Sequence, residues 1–374
     1  LRCYSVHVCL VSDQPTPNLI PACDPVFKPQ LCVLLVSKAM TTRAFDLETV
    51  LKGRGVECER LPVENPYDYD GVRRLLIDWV GKVDNADVAL NATGGTKIMA
   101  FAAYGVFLER NLPIFYVHPE QDQIVWLNPK QEVRDIPDHV SLPEFLQAHG
   151  YQVVSLKKSV FGAEFEQLTR DLISGVAKYA NALAVFNFLA SSADKKPGLL
   201  SRPIDFGKRK RREFDELLKL FADAGLLHVE KGRLRFASEE ARFFVNGGWL
   251  ENYLYNILVR NRERFKLQDY AMSLEIRSRS GTENEIDVTF LKNNRLHLIE
   301  CKTKKFVGEY AKGAETLYKM DTLRDLGGQQ TRSLLVSYQN IPPYDEQRAR
   351  DLRIKVLDHR LLQKLEYELL QWIG

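Results

Sequence analysis

The stretch Asn284-Glu-Ile-Asp-Val-Thr-Phe-Leu-Lys-Asn-Asn-Arg-Leu-His-Leu-Ile-Glu-Cys-Lys302 decides the reading of this chain, because it reads as a hairpin that gathers its charges. Two apolar, β-branched runs flank Asn293-Asn294, a pair that tolerates the left-handed dihedrals of a two-residue turn. With that turn Asp287 faces Glu300 and Glu285 faces Lys302, all four on one side of the sheet because strand side chains alternate. Ile286, Val288, Phe290, His297, Ile299 and Cys301 fall on the other side as a core face. Two carboxylates held about 5 Å apart repel each other and lose solvation. A divalent cation with oxygen ligands relieves both costs, and a lysine beside it suits phosphate chemistry. The plainer alternative is a solvated face on which Glu285 and Lys302 make a cross-strand ion pair, contributing about 0.2–1 kcal/mol.

Asp followed by Glu-x-Lys on the next strand resembles the core of the PD-(D/E)XK nuclease superfamily. That family runs helix, three antiparallel strands, helix, further strand, and the chain offers the same order. Gly247–Leu258 has helical apolar spacing, Ala271–Arg279 reads as the first strand, and the hairpin supplies two more. A helical stretch from Gly308 to Leu326, a Gly327-Gly328 stop and the apolar strand Ser333–Ser337 complete it. The resemblance implies Mg²⁺ or Mn²⁺ held by Asp287, Glu300, the Cys301 carbonyl and Glu251 from the first helix. It further implies Lys302 as the group that orients water or stabilises the phosphate, Glu285 as a partner of Lys302, and products bearing a 5′-phosphate. Without the family, Glu251 reads as an ordinary exposed helix glutamate.

A chain of 374 residues has room for two or three domains, each with its own core. Its net charge of +3 offers no global basic field, so contact with nucleic acid has to come from local patches. No apolar run approaches the roughly 20 residues of a membrane span, and the first residues lack a charged lead with a cleavage site. A cytoplasmic protein is the expectation. The six cysteines form no C-x-x-C pair and several sit in apolar strands, which points to buried reduced thiols.

Residues 1–150 alternate strand and helix patterns in the manner of a parallel α/β sheet. Strands are expected at Tyr4–Val11, Leu31–Val36, Val56–Pro62, Asp87–Asn91 and Ile114–Val117, with helices such as Thr42–Lys52 and Lys97–Arg110 between them. Ligands of open sheets lie at the carboxyl ends of the strands. There the chain places Ser12-Asp-Gln-Pro-Thr-Pro-Asn18, Ser37-Lys-Ala-Met-Thr-Thr42 and Asn91-Ala-Thr-Gly-Gly-Thr-Lys97. In the last of these, glycines admit a ligand to the backbone, free N–H groups at a helix start hold an anion, and Lys97 adds charge. It lacks the Gly-Lys-Thr order of a Walker A loop, and a generic tight turn is the plainer reading.

These loops resemble CARF domains, the Rossmann-like sensors of cyclic oligoadenylates in type III CRISPR defence. An N-terminal CARF domain with a C-terminal PD-(D/E)XK domain is similar to the single-CARF ancillary nucleases, and the likeness covers nearly the whole chain. It implies a homodimer whose two CARF domains share one symmetric activator, cyclic tetra-adenylate. The activator-binding candidates it carries over are Ser12, Gln14, Thr16, Pro17, Asn18, Ser37, Lys38, Met40, Thr93, Gly94, Gly95, Thr96 and Lys97.

Between the two lies a helical or winged-helix-like connector, 151–245. Phe165–Ala190 and Glu213–Ala224 read as helices, and Leu226–Val229 with Leu234–Ala237 as a hairpin about Lys231-Gly232. The basic run Lys208–Arg212 contacts phosphates in one reading and is a solvated surface of a structural connector in the other. The expected architecture is therefore α/β: a CARF sensor at 1–150, the connector, and a nuclease domain at 246–374. The expected activity is metal-dependent cleavage of DNA or RNA, single-stranded or duplex, by an activator-gated homodimer. Gating is expected in how the C-terminal domains dock, because the hairpin fixes its own acids locally. The alternatives are a ligand-responsive nucleic-acid-binding regulator with a structural C-terminal domain, and a restriction- or repair-type endonuclease whose N-terminal domain binds an ordinary nucleotide.

Overall fold

The computed structural model describes residues 3–83, 87–118, 121–136, 138–158, 162, 165–194, 197–205, 211–303 and 310–374. The N-terminal sheet contains β1 (Val6–Leu10), β2 (Leu31–Ser37), β3 (Glu57–Val63), β4 (Val88–Asn91), β5 (Ile114–His118), β6 (Gln123–Asn128) and β7 (Arg134–Asp135) in the order 3-2-1-4-5-6-7. Its first five strands are parallel, and β6 and β7 turn back antiparallel. The interior strands β1, β2 and β4 are almost wholly buried, as continuous apolar runs between two helical layers must be, whereas edge strand β3 is largely exposed and accommodates Pro62. Helices α1 (Thr16–Cys23), α2 (Thr41–Gly53), α3 (Tyr69–Val80), α4 (Lys97–Glu109) and α5 (Leu142–Ala148) complete this unit. The five expected strands are present, and β6 with β7 is an addition whose Ile124 and Trp126 alternate into the core.

The first strand after α5, β8 (Tyr151–Lys157), leaves the N-terminal unit and pairs antiparallel at the edge of the C-terminal sheet. The expected boundary at residue 151 thus gives the connector a strand that hydrogen-bonds with the C-terminal unit. Next come α6 (Glu166–Ser174) and α7 (Val176–Ser192), bent by 113° rather than forming one helix. The break is at Gly175, where an added Cβ would lie 2.4 Å from the Tyr179 ring. Strand β9 (Leu200–Pro203), helix α8 (Arg211–Asp223) and the hairpin β10 (Leu227–Glu230) and β11 (Arg233–Phe236) form a small three-stranded winged-helix-like unit. Residues 208–210 of its basic run lie outside the described residues, and Arg211 and Arg212 make ion pairs with Asp215 and Glu216 one turn along α8.

Helices α9 (Glu239–Phe243) and α10 (Trp249–Asn261) lead into β12 (Asp269–Ser278), β13 (Glu283–Lys292) and β14 (Arg295–Lys302). Then follow α11 (Tyr310–Arg324), β15 (Arg332–Ser337), α12 (Pro343–Asp351), β16 (Ile354–Leu357) and α13 (Leu365–Ile373). The sheet order is 16-15-14-13-12-8, with β15 parallel to β14. One face packs with α7, α10 and α13; the other, through Ala271, Leu274, Leu291, Leu296 and Leu298, shares a continuous core with the sensor residues Leu19, Leu47, Phe145 and Leu146. Among the described residues no single helix is long and apolar enough to cross a membrane.

Candidate functional site

The hairpin forms in the expected register: Val288 to Lys292 pair with Ile299 to Arg295, and Asn293 and Asn294 take left-handed φ of 48° and 51°. Pairing ends there. In place of a ladder bond at Asp287, the Asp287 carboxylate accepts the Cys301 N–H at 2.6 Å. On the other side, β12 pairs with β13 at Met272–Val288 and Leu274–Ile286 but not between, where the buried Ser273 has φ of 45°. This double irregularity rotates the strand. Ile286, expected beside Val288 and Phe290, instead packs into the core shared with the sensor, while Val288, Phe290, Ile299 and Cys301 keep the face under α10.

Glycine brings α10 to the same place. Gly247 has φ of 115°, and a Cβ on it would lie 2.2 Å from Thr303 Oγ1, so only glycine lets the helix start beside the residue that follows Lys302. Glu251, in the first turn, is thereby directed at the hairpin acids, with its Oε2 buried and without a hydrogen-bond partner. Burial, then the charges of Asp287, Glu285 and Glu300, hold the Glu251 carboxyl well above the ordinary range. Burial and next the Glu300 charge push the Asp287 carboxyl up to about 7.

Glu300 is 4 % exposed and makes an ion pair with Lys302. Burial by itself would depress the Lys302 ammonium, but the Glu300 and Asp287 carboxylates outweigh it and hold it above its usual value. Lys319 of α11, which no sequence motif singles out, reaches both Glu300 carboxylate oxygens at 3.4 and 3.5 Å and the Glu285 carbonyl at 3.1 Å. Glu285 is exposed and contributes that carbonyl; the partner of Lys302 is Glu300.

Among the described residues no three His, Cys, Asp or Glu side chains stand close enough to form a ready metal cage. The donor chemistry nevertheless fits a hard divalent cation. Three acids converge electrostatically, one carboxylate oxygen is orphaned, and the Cys301 thiol, raised well above its usual range by burial, is no competing soft ligand.

The second site is a cavity of about 270 Å³ at the carboxyl ends of the sensor strands. Ser12 and Gln14 line it from the β1–α1 loop, Thr16 and Pro17 from the start of α1, Thr93, Gly94 and Gly95 from the loop before α4, and Tyr116 and Asp122 from β5 and its turn. A buried network shapes that loop. Asn91 donates to Asn18 Oδ1 at 3.0 Å and accepts from the Thr93 hydroxyl at 2.7 Å, and Thr93 Oγ1 accepts the Val117 N–H at 2.8 Å. Of the other candidates, Asn18 is buried and donates to the Leu10 carbonyl, and Thr96 caps α4 through the Met99 N–H. Lys97 and Lys38 are exposed, and Ser37 and Met40 end β2 and its following turn, outside the lining. The far wall comes from sequence positions that carry no ligand signal of their own. It is Asn293, Asn294 and Arg295, the tip of the acid-bearing hairpin, with Gly327 and Gln330 from the 3-10 turn between α11 and β15.

Residues 6–145 match the model of the Card1 CARF domain, and residues 238–374 that of the Card1-like endonuclease domain. The chain joins a Card1-type CARF domain to a Card1-like endonuclease domain. The crystal structure of protein VC1899 from Vibrio cholerae superposes with a TM-score of 0.88 at 27% identity, covering 98% of this chain and 97% of that one. Can2 from Sulfobacillus thermosulfidooxidans, solved in complex with cyclic tetra-adenylate, gives 0.83 at 27% identity and 99% of both chains. A type III CRISPR defence DNA nuclease activated by cyclic oligoadenylate shares the fold at 18% identity, TM-score 0.59, over 92% of this chain and 47% of its own. A search of curated proteins finds no match. The CARF domain supplies most of the cavity lining and the endonuclease domain its far wall, and the endonuclease domain carries Glu251, Asp287, Glu300 and Lys302.

Proposed function

We infer that this protein is a divalent-metal-dependent endonuclease of type III CRISPR defence, of the PD-(D/E)XK kind, switched on by cyclic tetra-adenylate and working as a homodimer. The observation that carries the reading is the pair of acids, buried Glu300 and half-buried Asp287, beside Lys302 on one hairpin of an endonuclease domain. Asp287, Glu300 and Glu251, with the Cys301 carbonyl, would hold Mg²⁺ or Mn²⁺. When bound, the cation would neutralise phosphate charge and lower the pKa of a bound water. Lys302, kept protonated by its two acids, acts as a fixed positive charge toward the pentacovalent phosphate oxygens rather than as a base. Lys319 places a second cation 3.4 Å from the Glu300 carboxylate. Cleavage on the side that leaves a 5′-phosphate follows from the family likeness.

The activator reading rests on the full-length likeness to Can2 and on a cavity bordered by Gly94, Gly95 and the polar groups of Ser12, Gln14 and Thr93, where an α/β sheet binds its ligands. Exposed Phe101 and Leu108 on α4, with Tyr67 and Tyr69 at the start of α3, offer an apolar face for a second copy. A ring of four identical nucleotides has the two-fold symmetry of such a dimer. The test is cleavage of single-stranded DNA, duplex DNA and RNA with Mg²⁺ or Mn²⁺, with and without cyclic tetra-adenylate. Cleavage of at least one substrate that needs both cation and activator is expected. Cation-dependent cleavage indifferent to the activator would instead favour an ungated endonuclease, and activator binding without any cleavage a regulator.

A further inference from the structure

The activator cavity is built by both domains, and its far wall is the turn of the very hairpin that carries the acids. Asn294 is fixed there from two sides. Its amide nitrogen donates to the Asp122 carboxylate at 2.5 Å and to Asp138 at 3.2 Å, both from the CARF side, while its oxygen accepts from Gln268 at 2.8 Å, just before β12. From the turn, five cross-strand pairs run without interruption to Val288 and Ile299. Immediately beyond them the ladder fails at Asp287. At a rise of about 3.4 Å per residue, the tip is then on the order of 20 Å from the acids. A stiff paired segment thus spans from the cavity wall to the irregular place where Asp287 and Glu300 are set.

We propose that Arg295 is an activator-binding residue, and that cyclic oligoadenylate is read directly by the tip of the catalytic hairpin. The proposal rests on the functional reading above. Arg295 lines the cavity opposite the polar β1–α1 loop, and its planar guanidinium suits a phosphate oxygen pair or a base edge. Tyr116 in the same cavity offers a ring face for adenine. At about 270 Å³ the cavity is near the small end of ligand sites, so one chain holds part of the ring. Gating by domain docking alone, as the sequence suggests, leaves this wall without a role. With the hairpin tip touching the ligand, occupancy bears on the acid-bearing strands without passing through the connector.

Calorimetric titration of the full-length protein with cyclic tetra-adenylate tests the proposal on wild type, Arg295→Ala, Arg295→Lys and Gln330→Ala, each checked for an unchanged circular dichroism spectrum. Arg295→Ala is expected to bind about 10- to 100-fold more weakly, the scale of a lost charged hydrogen bond, with Arg295→Lys between it and wild type. Gln330→Ala, which alters the same wall from the turn after α11, is expected to weaken binding less and covers the case in which the arginine variants misfold. If wild type binds and none of these variants differs from it, the hairpin does not read the activator, although the functional reading stands. If wild type itself fails to bind, the functional reading falls and this inference with it.

Discussion

In the proposed mechanism the catalytic chemistry turns on Glu300, which is buried and yet balanced by two ammonium groups, Lys302 and Lys319. Removing one cation leaves the other in place, so Lys319→Ala should fold. It should nevertheless slow cleavage by about 10- to 100-fold through loss of a charge held beside the reacting phosphate, with activator affinity unchanged; a steady-state assay at saturating activator showing wild-type turnover would assign Lys319 to structure alone. Glu251 makes the opposite kind of prediction. Its carboxyl is raised in the folded chain, chiefly by burial and then by Asp287, so it favours folding only below its ordinary value of 4.5 and works against folding at higher pH. In metal-free protein, Glu251→Gln should therefore raise the melting temperature by a few degrees at pH 8 and change it little at pH 4.5, while cleavage is lost. A lower melting temperature at pH 8 would show that the ionised carboxylate stabilises the folded chain and that burial is not its dominant influence.

The element that organises the sensor is the loop from β4 into α4, where the chain comes so close to β1 that a Cβ on Gly94 would lie 2.0 Å from the Leu10 carbonyl oxygen. Gly94→Ala should accordingly cost about 1–3 kcal/mol of stability, as overpacking does, and shift the cavity wall. Urea unfolding together with calorimetry should show both effects; an unaltered midpoint and affinity would mean the loop yields freely. Much of this element is legible in the sequence, since Thr93–Lys97 follows an apolar strand and opens a helix. The hairpin register is legible for the same reason: Asn293-Asn294 fixes a turn, and a turn fixes every pair behind it. What local pattern does not convey is the interruption at Ser273 and Asp287, which moves Ile286 to the other face, and the ion pairing of Glu300, which replaces the expected Glu285–Lys302 contact. Nor does any neighbour in sequence announce that Asn294 meets Asp122, or Lys319 meets Glu300, because those meetings are made by packing between distant segments.

At the scale of the molecule, the CARF and endonuclease domains are joined more intimately than two units on a linker. Leu274, Leu296 and Leu298 share a core with Leu47 and Phe145, Arg279 makes an ion pair with Asp46, and β8 carries the chain from the sensor straight into the endonuclease sheet. The cavity and the acids are thus two ends of one hairpin within a single packed body. The most direct test of an activator-gated, acid-dependent endonuclease is to separate those ends in one protein, by measuring both cyclic tetra-adenylate affinity and Mn²⁺-dependent cleavage for wild type, Asp287→Asn and Glu300→Gln. Both variants should bind the activator within about threefold of wild type, less than about 1 kcal/mol, and cleave at least about a hundredfold more slowly. Near wild-type cleavage by both variants, or wild-type cleavage that proceeds equally well without the activator, would contradict the account.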